Sequence, residues 1–235
     1  MIPKILHQVW LGPERPPTAC IASWHAQHPD WDCHLWTESS LPNDFTNQAI
    51  IEAADTFFSK ADYIRYELLL RYGGVYADAD SYCLRRIDNL LACNAFAAWE
   101  SEQRRPGLVG NSAIGSIAGH PLTKELVANA RTGKPAWKVS GPGYFTEQVA
   151  KTEGVTIYPS SYFYPLHHKQ RRLLNVLKST DNVESTIESL AKKHACDAYA
   201  IQLWGSTTGL YPWLCAGESS EPWKRERRRI SDDCK

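Results

Sequence analysis

The sequence lacks the cysteine spacings of metal-binding and disulfide-stabilised proteins. Its seven cysteines are scattered and odd in number, and no two of them form a C-x-x-C pair. This distribution indicates neither a cysteine zinc site nor a disulfide framework. A reducing cytoplasm is therefore the simplest compartment for the chain.

Long hydrophobic runs and an excess of one charge are also missing. Nothing approaches the roughly 18 consecutive apolar residues of a membrane span, and the stretch MIPKILHQVWLG meets Pro13 and Glu14 too early for a signal peptide. The 26 basic residues balance 26 acidic ones. This balance argues against wholesale nucleic-acid binding, so we expect no nucleic-acid partner. Any membrane contact is expected to be peripheral.

The chain does contain enough apolar material for a sizeable core. Apolar residues make up 43% of its 235 residues. We find no internal repeat and no low-complexity linker, and we assign residues 1–220 to one domain and residues 221–235 to a basic tail. IPKILHQVWLG has the composition of a strand, a helix follows around Ile21 and Trp24, and Trp31 to Trp36 alternates like a second strand. Strand, helix, strand is the opening of an α/β fold.

The clearest helix is predicted in SKADYIRYELLLRYGG. Ser59 or Asp55 could cap its start, and Gly73 suits a left-handed end. Its apolar face comprises Ala61, Ile64, Leu68 and Tyr72. Asp62 and Arg65 are three residues apart and therefore neighbours on another face.

The remaining elements are predicted from shorter patterns. AFAAWE reads as a strand ending at Glu100, and the polar sequence from Ser101 to Gly110 reads as a loop. Helices are expected in HPLTKELVANAR and after the Gly-Pro-Gly turn of SGPGYFTEQVAK, and late strands in VTIYP and AYAIQLW.

Two aspartates follow the apolar run GGVYA. If the segment is extended, Tyr76, Asp78 and Asp80 point to one side. Paired carboxylates can converge on one hard cation, and oxygen ligands without nearby Cys or His favour Mg²⁺ or Mn²⁺ over Zn²⁺. Two solvated acids at a strand end are the alternative, which the D-x-D spacing alone favours.

The surroundings of the pair favour a binding site. The acids stand at the carboxyl end of a presumed parallel strand, where open α/β sheets bind ligands. An arginine held nearby, Arg65, suits phosphate or sugar hydroxyls. A D-x-D-x-T/V phosphohydrolase is disfavoured, because Tyr82 stands where Thr or Val belongs.

The segment ADYIRYELLLRYGGVYADADSY resembles the signature of the glycosyltransferases with a DXD sugar-binding region, family 32. It is also similar to the catalytic domains of the large clostridial glucosylating toxins. IPKILHQVWLG and SWHAQHPDWDCHLWTE extend the likeness, and NSAIGSIAGHP, SGPGYFTEQV, YPSSYFYP and AYAIQLWGS continue it more weakly in the same order. These blocks cover most of the chain.

This resemblance implies a GT-A fold, with a single Rossmann-like mixed sheet flanked by helices. It implies that Val9 and Trp10 line the nucleotide base pocket, with Trp10 stacking on the base. A core position is the alternative for Trp10, since the chain has nine tryptophans. The resemblance also implies that Asp62 and Arg65 hold the sugar and its phosphate side, and that Tyr76 lies near the nucleotide. It implies that Asp78 contacts ribose or metal and that Asp80 ligates the metal. Asn111 and the Gly141-Pro142 turn are expected to line the sugar or acceptor side.

The chain departs from the family pattern near its carboxyl end. Gln202 stands where the family usually has a metal-binding His, and Thr207-Thr208 replaces a Ser-Trp pair. Gln still offers a carbonyl oxygen, which suits Mg²⁺ or Mn²⁺, and Thr207 keeps a hydroxyl for the diphosphate.

We therefore expect a retaining, metal-dependent glycosyltransferase that uses a nucleotide-diphosphate sugar. UDP-linked donors are preferred and GDP-mannose remains open. Asp78, Asp80, Arg65 and Asp62 form the expected catalytic set, with no protein base. The acceptor is expected to be a saccharide or a lipid-linked saccharide, as in bacterial surface-polysaccharide synthesis. A protein-modifying transferase and a non-catalytic nucleotide-sugar-binding protein are the alternatives.

Two basic segments complete the sequence. HHKQRR, from His167 to Arg172, reads as a solvated loop or as a contact to pyrophosphate or an anionic acceptor. The tail EPWKRERRRI carries five basic residues from Lys224 to Arg229. It is either a disordered terminus or a peripheral anchor on anionic lipid at the inner face of the membrane.

Overall fold

The computed structural model describes residues 1–180 and 182–215. The basic tail, residues 221–235, lies outside the described residues. The strands are β1 (Ile5–Val9), β2 (Asp32–Trp36), β3 (Gly74–Ala77), β4 (Ser81–Cys83), β5 (Ala95–Ser101), β6 (Arg105–Ser116), β7 (Val155–Tyr158) and β8 (Ala200–Gln202). Six of them form one sheet in the order β2-β1-β3-β6-β5-β7, and β4 pairs with β8.

The main sheet is mixed. β1 runs parallel to β2 and β3, whereas β6 is antiparallel to both β3 and β5, and β7 is parallel to β5. The presumed parallel strand before the aspartates is thus parallel on one side only. β4 and β8 pair antiparallel beside the end of β3, with Ser81 opposite Gln202.

Helices cover both faces of this sheet. They are α1 (Thr18–Gln27), α2 (Gln48–Ala53), α3 (Phe57–Tyr72), α4 (Pro121–Ala128), α5 (Ala136–Val139), α6 (Pro142–Val149), α7 (Arg171–Leu174), α8 (Val183–His194), α9 (Gly205–Thr208) and α10 (Tyr211–Leu214). The alternation of β3 divides the core as expected. Tyr76 packs in the cluster with α3, α4 and α6, while Val75 and Ala77 pack in the opposite cluster with Trp24 of α1. The predicted α/β architecture is confirmed.

The start and end of α3 differ from the prediction. Thr56, rather than Ser59 or Asp55, caps the helix, since its side chain accepts a hydrogen bond from the Ser59 amide. Gly73 has φ 64° and ψ −158°, so its φ is positive but its ψ is extended, unlike a left-handed cap. The chain therefore leaves α3 directly into β3.

The predicted loop from Ser101 to Gly110 is wrong for most of its length. β6 begins at Arg105, and Ser101 faces Arg105 across a tight hairpin with irregular register. Pairing with β5 supplies backbone hydrogen bonds that override the weak strand preference of Pro106 and Gly107.

No helix within residues 1–180 and 182–215 combines the length and apolar character needed to cross a membrane.

Candidate functional site

The two aspartates occupy a turn between β3 and β4. β3 ends at Ala77, the Asp78 amide donates to the Ser112 carbonyl at 2.9 Å, and the Ser81 amide donates back to the Asp78 carbonyl at 3.0 Å. The expectation that both acids sit on an extended strand is therefore wrong. They converge because the turn is fixed at both ends, by β6 and by the start of β4.

Gln202 reaches this turn from the other end of the chain. Its Nε2 donates to Asp80 Oδ1 at 2.9 Å and to Asp78 Oδ2 at 3.3 Å. Its Oε1 is buried and has no hydrogen-bond partner among the described residues. The backbone amide of Gly205 donates to the second Asp80 oxygen at 2.6 Å. Residues 202 to 205 thus close over the carboxylates.

The electrostatics of the pair favour a bound cation. Burial, and then the negative charge of Asp78, raise the pKa of Asp80 to about 6, although the hydrogen bonds from Gly205 and Gln202 lower it. Burial also raises the pKa of Asp78, against the effect of Arg65. Two close carboxylates supply oxygen ligands, and Gln202 would add a third oxygen if its amide turned Oε1 towards them. Such a set fits Mg²⁺ or Mn²⁺.

Arg65 of α3 links the acid pair to Asp62. Its guanidinium lies 3.0 Å from Asp62 Oδ1 and 3.1 Å from Asp78 Oδ1. It also stacks over the Tyr76 ring at 4.4 Å from the centroid, and the Tyr76 hydroxyl donates to Asp78 Oδ1 at 3.0 Å. Arg65 is thus a fixed, buried positive charge beside the predicted metal ligands.

Asp62 is held by groups from two further elements. Asn111 Nδ2 of β6 donates to Asp62 Oδ1 at 2.8 Å, and the Ser140 hydroxyl donates to Asp62 Oδ2 at 3.0 Å. A Cβ placed on Gly141 would lie 3.3 Å from Asp62 Oδ2. The predicted Gly141-Pro142 turn therefore passes close to this carboxylate, as α6 begins.

The residues assigned to the nucleotide occupy different environments. Val9 is buried in the core beneath α3. Trp10 meets Tyr211 edge-on at 5.2 Å between ring centroids. A cavity of about 300 Å³ opens beside the neighbouring Leu11 and is lined also by Phe57. The base-pocket roles of Val9 and Trp10 stay predictions.

Thr207 is exposed on α9, two residues beyond the Gly205 amide that binds Asp80. The structure thus joins seven predicted residues in one hydrogen-bonded and ionic network: Asp62, Arg65, Tyr76, Asp78, Asp80, Asn111 and Gln202. Val9, Trp10 and Thr207 lie outside that network.

Three contributors were not expected from the sequence: Ser140, the Gly205 amide and Tyr211. The Gly-Pro-Gly turn was a signal for Ser140, which immediately precedes it. The Tyr211 ring packs directly on Gly205. A Cβ built on Gly205 would lie only 2.3 Å from ring carbon Cε1 of Tyr211. No sequence pattern indicated this contact between α9 and α10.

Part of the chain matches a known family model. The family model described as "Glycosyltransferase sugar-binding region containing DXD motif" matches residues 17–97. That range includes Asp62, Arg65, Tyr76, Asp78 and Asp80, but it ends before Asn111 and Gln202.

Two curated yeast proteins are similar over part of the chain. Mannosyl phosphorylinositol ceramide synthase CSH1 of Saccharomyces cerevisiae is 34% identical over 151 residues, covering 59% of this chain and 38% of that protein. Inositol phosphoceramide mannosyltransferase 3 of Schizosaccharomyces pombe is 33% identical over 135 residues, covering 54% and 37%. The matched region therefore spans less than two fifths of either relative.

Among solved structures, PaToxG glycosyltransferase superposes with a TM-score of 0.55 at 14% identity, covering 91% of this chain and 87% of that one. Identity this low shows the fold alone, which is GT-A as the resemblance implied. The sequence match and this fold lead to one conclusion: residues 17–97 are similar to the sugar-binding region of the DXD-motif glycosyltransferases, and the chain has a GT-A fold.

Proposed function

We propose that the chain is a retaining, metal-dependent glycosyltransferase that moves a sugar from a nucleotide-diphosphate donor. One observation carries the proposal: the Asp78 and Asp80 carboxylates converge on Gln202, whose Oε1 has no partner among the described residues, beside the fixed charge of Arg65. A sugar diphosphate needs a cation and a positive side chain at its leaving group, and this site offers both positions.

The roles of the chain's residues follow from their contacts. Asp78, Asp80 and Gln202 would hold Mg²⁺ or Mn²⁺, which offsets the charge that builds on the departing diphosphate. Gln202 would exchange its amide nitrogen for its carbonyl oxygen on the cation side. This exchange gives the buried Oε1 the partner that it lacks.

Arg65 and Asp62 act on the sugar and its phosphate side. Because Arg65 is clamped between two carboxylates, it presents its charge without reorganising. Asp62, oriented by Asn111 and Ser140, can accept hydrogen bonds from sugar hydroxyls. The acceptor hydroxyl attacks on the face that the diphosphate leaves and passes its proton to a departing phosphate oxygen, so no protein nucleophile and no protein base are required.

The identities of the donor sugar and of the acceptor are proposed from similar proteins. The names of the two yeast relatives favour mannose, and therefore GDP-mannose, whereas the toxin resemblance favours a UDP-sugar. Those names also favour a lipid-linked acceptor with a polar head group over a protein acceptor. Thermal-shift screening of UDP-, GDP- and CMP-sugars with Mn²⁺ separates the donors, because only a ligand that binds the native state raises its melting temperature.

Asp80→Asn tests the proposed site. With the donor that the screen selects, transfer should fall at least about 100-fold, since loss of metal stabilisation costs several kcal/mol of the barrier. Asp55→Asn is the matched control, because Asp55 is exposed and pairs with exposed Lys134. Activity is measured as released nucleoside diphosphate, with and without acceptor.

Undiminished turnover of the Asp80→Asn variant would contradict the metal assignment. Donor binding without either hydrolysis or transfer by the unmodified chain would instead favour the non-catalytic binding protein.

A further inference from the structure

A second group of metal-binding side chains lies outside the carboxylate site. Glu100 near the end of β5 meets His167 and His168, which precede α7, and one ligand atom of each lies within 4.8 Å of the others. Glu100 and His167 are each only 2% exposed. The expectation that His167 belongs to a solvated loop is therefore wrong, whereas Arg171 and Arg172 are exposed as expected.

Hydrogen bonds fix the state of one histidine and leave the other without a partner. The Lys169 amide donates to His167 Nδ1 at 3.2 Å, so His167 carries its proton on Nε2 and donates it to Glu100 Oε1, also at 3.2 Å. His168 packs against His167 with centroids 4.0 Å apart and the rings tilted by 34°, and its Nδ1 is buried without a partner among the described residues. A buried polar atom left unpaired costs about 1–3 kcal/mol.

We propose that Glu100, His167 and His168 form a zinc site separate from the carboxylate site. Two imidazole nitrogens and one carboxylate oxygen are a ligand set typical of zinc bound by three side chains, with water in the fourth position. A polar cavity of about 450 Å³, lined by His167 together with Ser160 and Gln170, opens beside the cluster and gives water access.

Ligand chemistry separates the two sites. The carboxylate site offers oxygen atoms alone and suits Mg²⁺ or Mn²⁺, whereas imidazole nitrogen selects zinc over those ions. Zinc bound at His167 Nε2 moves the ring proton to Nδ1, where the Lys169 amide now donates. The turn from His167 to Lys169 therefore adjusts when the metal binds.

The position of the cluster gives the metal a structural role. Trp204 lies against both histidines, with centroids 5.7 Å and 5.1 Å away, and its Nε1 donates to the Leu166 carbonyl at 2.7 Å. Trp204 directly precedes Gly205, whose amide holds Asp80. Zinc that ties the histidines to β5 would thus hold the segment that closes over the aspartates.

Calorimetric titration of the full chain with Zn²⁺, in excess Mg²⁺ to occupy the carboxylate site, tests the proposal. We expect about one equivalent to bind. His168→Gln should weaken zinc affinity by more than about 100-fold, beyond the 10- to 100-fold typical of losing an outer-shell partner. His194→Gln is the matched control, because this exposed histidine lines the same cavity.

The Asp78→Asn/Asp80→Asn variant separates this proposal from the proposed function, since it should lose transfer but retain zinc. Co²⁺ in place of zinc should give tetrahedral absorption bands that His168→Gln abolishes. Unchanged affinity in His168→Gln, or loss of zinc in the Asp78→Asn/Asp80→Asn variant, would overturn the proposal. Glu100→Gln and His167→Gln change buried residues and could prevent folding. His168 is partly exposed, so the zinc affinity of His168→Gln still tests the proposal in that case.

Discussion

At the scale of single residues, His7 shows how burial fixes a protonation state in the sheet. Its side chain on β1 is fully buried, with Nε2 donating to the Gly73 carbonyl at 2.8 Å and Nδ1 accepting from Trp36 Nε1 at 3.1 Å. Both ring nitrogens are thus used by the neutral imidazole. Burial, with a smaller effect of His34, lowers the pKa of His7 to about 4, against the opposing effects of Gly73 and Asp32.

This lowered pKa predicts a loss of stability in acid. Between pH 6.5 and about 4 the unfolded chain binds a proton at His7 that the folded chain excludes, so the free energy of unfolding falls as pH falls. His7 should contribute about 3 kcal/mol to that loss. His7→Gln keeps a donor for Gly73 but cannot titrate, so its stability should change less over this range.

Urea unfolding of both proteins from pH 7 to pH 4 measures the difference, with exposed His194→Gln as the control. Parallel pH profiles for the unmodified chain and His7→Gln would contradict the assignment.

At the scale of elements, the connection from α3 to β3 sets the position of the aspartates. Gly73 and Gly74 both have positive φ, and a Cβ on Gly74 would lie 2.5 Å from the Ile5 carbonyl oxygen of β1. The close approach lets β3 pair with β1 immediately after the helix. Any side chain at Gly74 would push β3, and with it the turn that carries Asp78, away from its neighbour.

Gly74→Ala should therefore destabilise the fold more than an alanine at an unobstructed glycine. Gly154 is the matched control, because its φ is also positive but nothing lies within 4 Å of a Cβ there. Both variants incur about 1–2 kcal/mol for left-handed backbone, and Gly74→Ala should lose roughly 1–3 kcal/mol more from steric overlap. Equal unfolding midpoints for the two variants would refute this account.

The sequence predicts such elements where a local period or a turn residue determines them. The apolar stripe of α3 and the alternation of Val75, Tyr76 and Ala77 were sufficient for the helix and the strand. The turn of the aspartates was not predictable, because it depends on the Ser112 carbonyl of β6. Strand β6 itself was missed at its start, since distant pairing rather than composition forms it.

Part of the candidate site could also be predicted from the sequence, and part could not. Asp62, Arg65, Asp78 and Asp80 stand within one short stretch and could be proposed from spacing and family resemblance. Tyr211 could not, because only the packing of α10 on Gly205 brings it near. The pairing of His167 with Glu100 joins residues 67 positions apart, and the sequence showed only a basic segment.

At the scale of the whole molecule, the balanced overall charge conceals a basic segment, residues 224–229. We propose that the tail from Lys224 to Arg229 binds anionic lipid at the inner face of the membrane, which would bring a lipid-linked acceptor to the site. Each basic residue at such a surface contributes about 1 kcal/mol. These residues lie outside the described part of the chain.

Arg227→Gln/Arg228→Gln should therefore weaken binding to phosphatidylserine-containing vesicles by about 30-fold at low salt. Lys192→Gln/Lys193→Gln, on the exposed face of α8, removes the same charge elsewhere and should have little effect. Vesicle co-sedimentation measures both. Equal weakening by the two variants would indicate a response to net charge rather than to the tail.

The contact between the Gly205 amide and Asp80 also affects the order in which the protein folds during translation. These partners are 125 residues apart, so a ribosome makes the whole segment between Asp80 and Gly205 before Asp80 can receive this hydrogen bond. Until β8 and α9 emerge, a nascent chain can form α3 and β3 and pair Asp78 with Arg65, but Asp80 lacks the hydrogen bonds from Gln202 and Gly205. The order of translation therefore places completion of the carboxylate site after the synthesis of β8 and α9.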